Sequence, residues 1–103
     1  MRYQKAAIID FSGFASIAQN LSRTDLLVAF DLIERMDMDN RVRAVQKEMA
    51  EELGISTTSV NHAFKRLRGS EPPFIHQISG ATFEVNKDLV LPNIFWQIFR
   101  RSE

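Results

Sequence analysis

The stretch from Val45 to Leu67, VQKEMAEELGISTTSVNHAFKRL, holds two amphipathic segments around a sharp break at Gly54-Ile55-Ser56, and this break constrains the fold more than anything else in the chain. Before it, Met49, Ala50 and Leu53 fall at helical spacing; after it, Val60, Ala63, Phe64 and Leu67 repeat the i, i+3, i+4, i+7 pattern of one buried helix face. Gly54 can take the positive φ that closes a helix, and the Ser56 hydroxyl can cap the next one. A turn this short sets the two helices at a steep angle, which predicts a helix-turn-helix spanning about residues 45–68. Ala50 is expected at the closest approach of the helices, with Ile55 turned back into the core.

At 103 residues, 45% of them hydrophobic, the chain is expected to form one domain over 1–103 with a modest core. A formal net charge of +0 and a pI near 6.7 exclude a protein that coats nucleic acid by bulk charge alone. Charge is nonetheless uneven. Residues 23–54 carry eight acids and five bases, whereas residues 55–70 carry Lys65, Arg66 and Arg68 and no acid. With no cysteine there is neither disulfide nor thiolate metal site, and a reducing interior is compatible. No apolar run reaches a membrane span, and Met1 to Asp10 lacks the apolar core of a signal peptide, so no membrane association and a cytoplasmic location are expected.

Around the central unit, Lys5 to Phe11 suits either a strand or the lead-in to a helix, and a short helix is expected over Gly13 to Asn20. Ser22-x-x-Asp25 fits a capping box opening a helix whose apolar stripe reads Leu26, Leu27, Phe30, Ile33 and Met36. Asp37 to Asn40 forms a polar turn, and Arg41 to Val45 alternates as a short strand. Val45 also occupies the cap of the next helix without a capping side chain, a deficit of about 1 kcal/mol unless the strand before it compensates. After Gly69, Pro72-Pro73 cannot continue a helix. Phe74 to Ile78 and Ala81 to Val85, joined at Ser79-Gly80, predict a hairpin wing over about residues 74–86. Pro92 suits the first turn of a last helix over about 92–101. The order helix, helix, strand, helix, helix, hairpin, helix is mainly α with a small β-hairpin wing: an α+β winged helix-turn-helix.

If Val60, Ala63, Phe64 and Leu67 face inward, Thr57, Thr58, Asn61, Lys65 and Arg68 face outward, with Ser59, His62 and Arg66 on the flanks. Such a helix fits the major groove of double-stranded DNA. Asn61 suits adenine, the Thr57 and Thr58 methyls suit thymine, and Lys65 reaches guanine. Ser56, Ser59, Arg66 and Arg68 suit phosphates, and Gln77, Ser79 and Gly80 at the wing tip suit the backbone or minor groove. A solvated basic face that complements the helix dipole has the same composition, so the full pattern, not any one residue, supports DNA binding.

Other chemistry is weakly represented. Asp37-x-Asp39 resembles the start of a calcium loop, but Val42 stands where glycine is required, so no metal is expected. His62 and His76 lie on different elements, no glycine-rich phosphate loop is present, and neither an enzyme nor a cofactor is expected. Phe95, Trp96 and Phe99 suit either the chain's own core or a two-fold interface with a second copy, which the segment from Tyr3 to Phe14 would join. A homodimer is favoured, since one recognition helix reads few bases.

The runs LSRTDLLVAFDLIERMDMDNRV, QKEMAEELGISTTSVNHAFKRL and FIHQISGATFEVN resemble the winged-helix core of RepL-type plasmid replication proteins and, more distantly, MarR-type regulators. The matching positions are Asn40, Gln46, Glu48, Ala50, Leu53, Gly54, Ser56, Val60, Leu67, Gly80 and Asn86, with Phe95-Trp96 beyond them. The resemblance implies a bacterial plasmid or phage protein that binds DNA in replication initiation, copy control or transcription regulation, with replication, transcription or partition machinery as further partners. A centromere-binding partition protein fits the size too. The alternative from another class is a winged helix that docks on a replication or transcription enzyme and inhibits it.

Overall fold

A computed structural model of the chain describes residues 7–92. The elements run β1 (Ala7–Ile9), α1 (Phe11–Ala18), α2 (Arg23–Arg35), β2 (Arg41–Arg43), α3 (Gln46–Leu53), α4 (Thr57–Gly69), β3 (Ile75–Ser79), β4 (Thr82–Val85) and β5 (Val90–Pro92). Four helices and two small antiparallel sheets make an α+β, winged-helix-like fold.

The α3–α4 unit forms as its sequence requires. Gly54 closes α3 at φ 69°, in the left-handed region that a side chain resists, and the Ile55 N–H reaches back to the Ala50 carbonyl at 3.0 Å. Ser56 caps α4 by accepting the Ser59 N–H at 3.0 Å. At the start of α3 Val45 offers no side-chain acceptor, so that helix begins with its first amides uncapped by a side chain.

The core gathers between α2, α4 and the inner face of the sheet ordered β2-β4-β3. Val60, Ala63, Phe64 and Leu67 are each 0% exposed, and Phe64 meets Phe83 of β4 edge to face with ring centroids 5.1 Å apart. Val42, paired with Phe83, adds the β2 side of the same layer. In the wing, β3 and β4 turn through Gly80 at φ 50°, with a register shift between Gln77 and Ser79 that bends the tip.

Four expectations are corrected. The buried stripe of α2 is Asp25, Val28, Ala29, Leu32 and the capping Met36; Leu26 and Ile33 are half-buried, while Leu27 and Phe30 are 43% and 50% exposed. Small Val28 and Ala29 let α2 approach α4 closely, and this rotates the bulkier residues to the flank. The first helix starts two residues earlier than expected, at Phe11, and the strand after α2 stops at Arg43. Pro92 lies in a strand, not in a first helical turn: β5 pairs with β1 through Ala7↔Pro92, Ile8↔Leu91 and Ile9↔Val90. Proline is tolerated at the end of such a short ribbon because few ladder hydrogen bonds are asked of it. The remainder of the expected last helix, with Phe95, Trp96 and Phe99, lies outside the described residues, as does Tyr3.

Asn40 ties the two sheets together. It is 1% exposed, sits at φ 63°, and its amide donates to the carbonyls of Val85 (3.1 Å) on β4 and Val90 (2.6 Å) on β5. Asparagine tolerates the left-handed region better than other residues with a side chain, which explains its choice here. Asn86 does similar work one residue beyond the same end of β4. Its amide donates to the Pro73 carbonyl at 2.8 Å, and its side-chain oxygen accepts the Asp88 N–H.

Candidate nucleic-acid interface

On α4 the sealed inner face fixes which residues turn outward. Thr57, Thr58, His62, Lys65 and Arg68 are exposed; Ser59 and Asn61 are half-buried. Thr57, Asn61, Lys65 and Arg68, at i, i+4, i+8 and i+11, share one stripe along the helix. Among the described residues neither Lys65 nor Arg68 enters a salt bridge. Their charge stays available to an anion.

Three of the expected contacts are partly occupied within the protein. Ser56 accepts the Ser59 N–H and donates its own hydroxyl to the Ser59 hydroxyl at 2.8 Å, so the pair first serves the helix start. Asn61 donates its amide to the Gln46 side-chain oxygen at 3.2 Å, one of the hydrogen bonds its carboxamide can make. This bond sets Gln46, at the head of α3, beside the outward stripe of α4. In the sequence Gln46 stands out only among the positions shared with a family, and the contact with Asn61 becomes visible once the two helices pack.

Arg66 has a different duty. Its guanidinium Nε donates to an Asp25 carboxylate oxygen at 2.6 Å, joining α4 to the first turn of α2. The Asp25 side chain is 0% exposed and that of Arg66 47%. The same carboxylate accepts the Ser22 N–H at 2.9 Å, and the Ser22 hydroxyl accepts the Asp25 N–H at 3.1 Å, so the capping box and the ion pair share one residue. Burial pushes the Asp25 carboxyl up, but the Arg66 guanidinium and the two Ser22 hydrogen bonds outweigh it and hold the group below its ordinary value of 3.8. Spacing within α2 cannot reveal a partner so far along the chain.

At the wing tip Gln77 and Ser79 are exposed, and Gln77 donates its amide to the Gly80 carbonyl at 2.7 Å, stiffening the turn. His76 is exposed on the edge strand β3. The Asp37 carboxylate that suggested a calcium loop instead accepts the backbone N–H groups of Asp39 and Arg41, at 2.8 and 3.0 Å, and so builds the turn into β2. Among the described residues no group of three His, Cys, Asp or Glu side chains converges as a metal site would, and no helix is long and apolar enough to cross a membrane.

An α+β winged-helix-like domain with a polar, basic second helix is the class that fold and surface define. The profile of the Firmicute plasmid replication protein family, RepL, matches residues 5–93, and the chain belongs to that family. Neither the curated proteins nor the solved structures contain a match.

Proposed function

We propose that this plasmid replication protein acts by binding double-stranded DNA, with α4 in the major groove and no chemical step of its own. The observation that carries the reading is the outward stripe of α4. Thr57, Asn61, Lys65 and Arg68 project from a helix sealed on its other side, and among the described residues neither cation is neutralised by an acid. Asn61 is the base reader and Lys65 and Arg68 supply positive charge, with Thr57 and Thr58 at the helix start and the wing tip along the backbone.

Selection of duplexes from a random pool at near-physiological salt tests the reading. Enrichment of an inverted repeat with half-sites about 10 base pairs apart supports a dimer on one face of the duplex. Asn61→Ala then relaxes sequence preference, whereas Lys65→Ala weakens binding to all duplexes and flattens the salt dependence by about one unit of slope if it meets a phosphate. A folded chain that enriches no sequence and binds no duplex removes the proposal.

A homodimer belongs to the same reading. What supports it is an apolar surface in the region that joins the expected interface: Phe11 is 84% exposed, Ile8 and Leu91 face each other across the β1–β5 ribbon and are exposed, and Leu27 and Phe30 stand out from α2. Sedimentation of the full chain, compared with Phe11→Ser, measures it.

A further inference from the structure

The wing hairpin, residues 74–86, contains no Lys or Arg, and its one charged residue is Glu84. A duplex lying along it would meet no positive charge from the hairpin itself. The strand beside it changes this. β2 pairs antiparallel with β4, Arg41 opposite Glu84 and Arg43 opposite Thr82, while Val42 between them is buried against the core. Both arginines therefore stand on the outer face of the sheet, two residues apart.

Their surroundings differ. Arg41 stands opposite an acid, Glu84, across the ladder, and its backbone N–H binds the Asp37 carboxylate. Arg43 faces a threonine. It also lies at the tip end of the sheet: the next residue, Ala44, donates its N–H to the Ala81 carbonyl at 2.7 Å, one residue from the Gly80 turn. Two residues further, Gln46 opens α3 and holds Asn61 of α4. The register thus sets Arg43 beside the wing tip, three residues before the head of α3. Among the described residues neither Arg43 nor Arg41 enters a salt bridge, so what separates them is the residue opposite, Thr82 for one and Glu84 for the other.

We infer that Arg43, contributed by β2, is the cation of the wing and neutralises a duplex phosphate beside the wing tip, whereas the charge of Arg41 is offset by the acid opposite it in the register, Glu84. This rests on the DNA-binding reading above, and it adds a contact outside both the recognition helix and the hairpin.

The test measures binding of the full chain to a labelled mixed-sequence duplex of about 20 base pairs across a series of salt concentrations, for the parent, Arg43→Gln and Arg41→Gln. Arg43→Gln is expected to reduce the slope of log K against log salt by about 0.9, the value of one phosphate contact, with the thermal midpoint unchanged. Arg41→Gln is expected to leave the slope as in the parent. A parent that binds while Arg43→Gln keeps its slope, or while both variants lose the same slope, overturns the assignment and leaves the DNA-binding reading standing. A parent that binds no duplex overturns both.

Discussion

α2 and α4 have the same length, 13 residues each, both start from a serine cap, and they pack on one another, yet they expose opposite kinds of surface. α4 keeps every apolar residue of its stripe inside and shows water only polar and basic groups. α2 buries a carboxylate and leaves a leucine and a phenylalanine half out. The difference shows that a helix's faces are set by its nearest neighbour as much as by its own pattern. Where one stripe alone is apolar, as on α4, pattern and packing agree. Where apolar residues fall on two flanks, as on α2, the partner chooses, and it chose the side where Val28 and Ala29 permit close approach.

The sharpest break in this comparison comes from the two phenylalanines. Phe64→Ala on α4 empties a fully buried site and is expected to cost about 4 kcal/mol in denaturant unfolding, whereas Phe30→Ala on α2, half exposed and tilted against Phe14, is expected to cost under about 1 kcal/mol. Equal losses would show that the exposed flank of α2 belongs to the core after all.

The ion pair between the helices is lopsided in the same sense. Arg66→Ala strands a buried carboxylate and is expected to lower the denaturation midpoint more than Asp25→Ala, which leaves a guanidinium that can turn to water and loses chiefly the capping box, about 1 kcal/mol. Arg66→Ala is thus a poor probe of phosphate contact, because it disturbs the seating of α4. The pH dependence follows from the direction of the Asp25 shift. Its folded carboxyl holds its proton less tightly than the unfolded one, so the stability it adds is fully present above the ordinary value of 3.8 and is lost as pH falls below it. Acid unfolding of the parent, compared with Asp25→Ala, is expected to show this loss in the parent alone.

How far the sequence could be read follows from the same distinction between local and distant causes. Gly54, Ser56 and the α4 stripe are legible because each acts on residues within a turn or two, and the Ser22–Asp25 capping box is legible for the same reason. The wing was visible as two short apolar runs around a glycine. The β1–β5 ribbon was not, because Val90–Pro92 is too short to signal a strand and its partner lies at the other end of the chain. Asn40 read as a turn residue, and nothing local discloses that its amide serves Val85 and Val90. At the candidate interface, the outward residues of α4 follow by subtraction from its buried face, whereas the Gln46–Asn61 contact and the attachment of Arg66 to Asp25 need the helices to be packed.

The smallest expected effect tests the one local weakness visible from the outset. Val45→Thr supplies the missing acceptor at the start of α3 and is expected to add about 0.5–1 kcal/mol, read as a small rise in the denaturation midpoint. It would bring the start of α3 to the standard already met by α2 and α4.

The side chain of Asn40 also has a mechanical meaning. One side-chain amide grips both the base of the wing and strand β5 of the ribbon, so a pull on β5 is delivered to the root of β4. The wing is in this respect a lever with Asn40 at its root and the tip beside Arg43 at its far end.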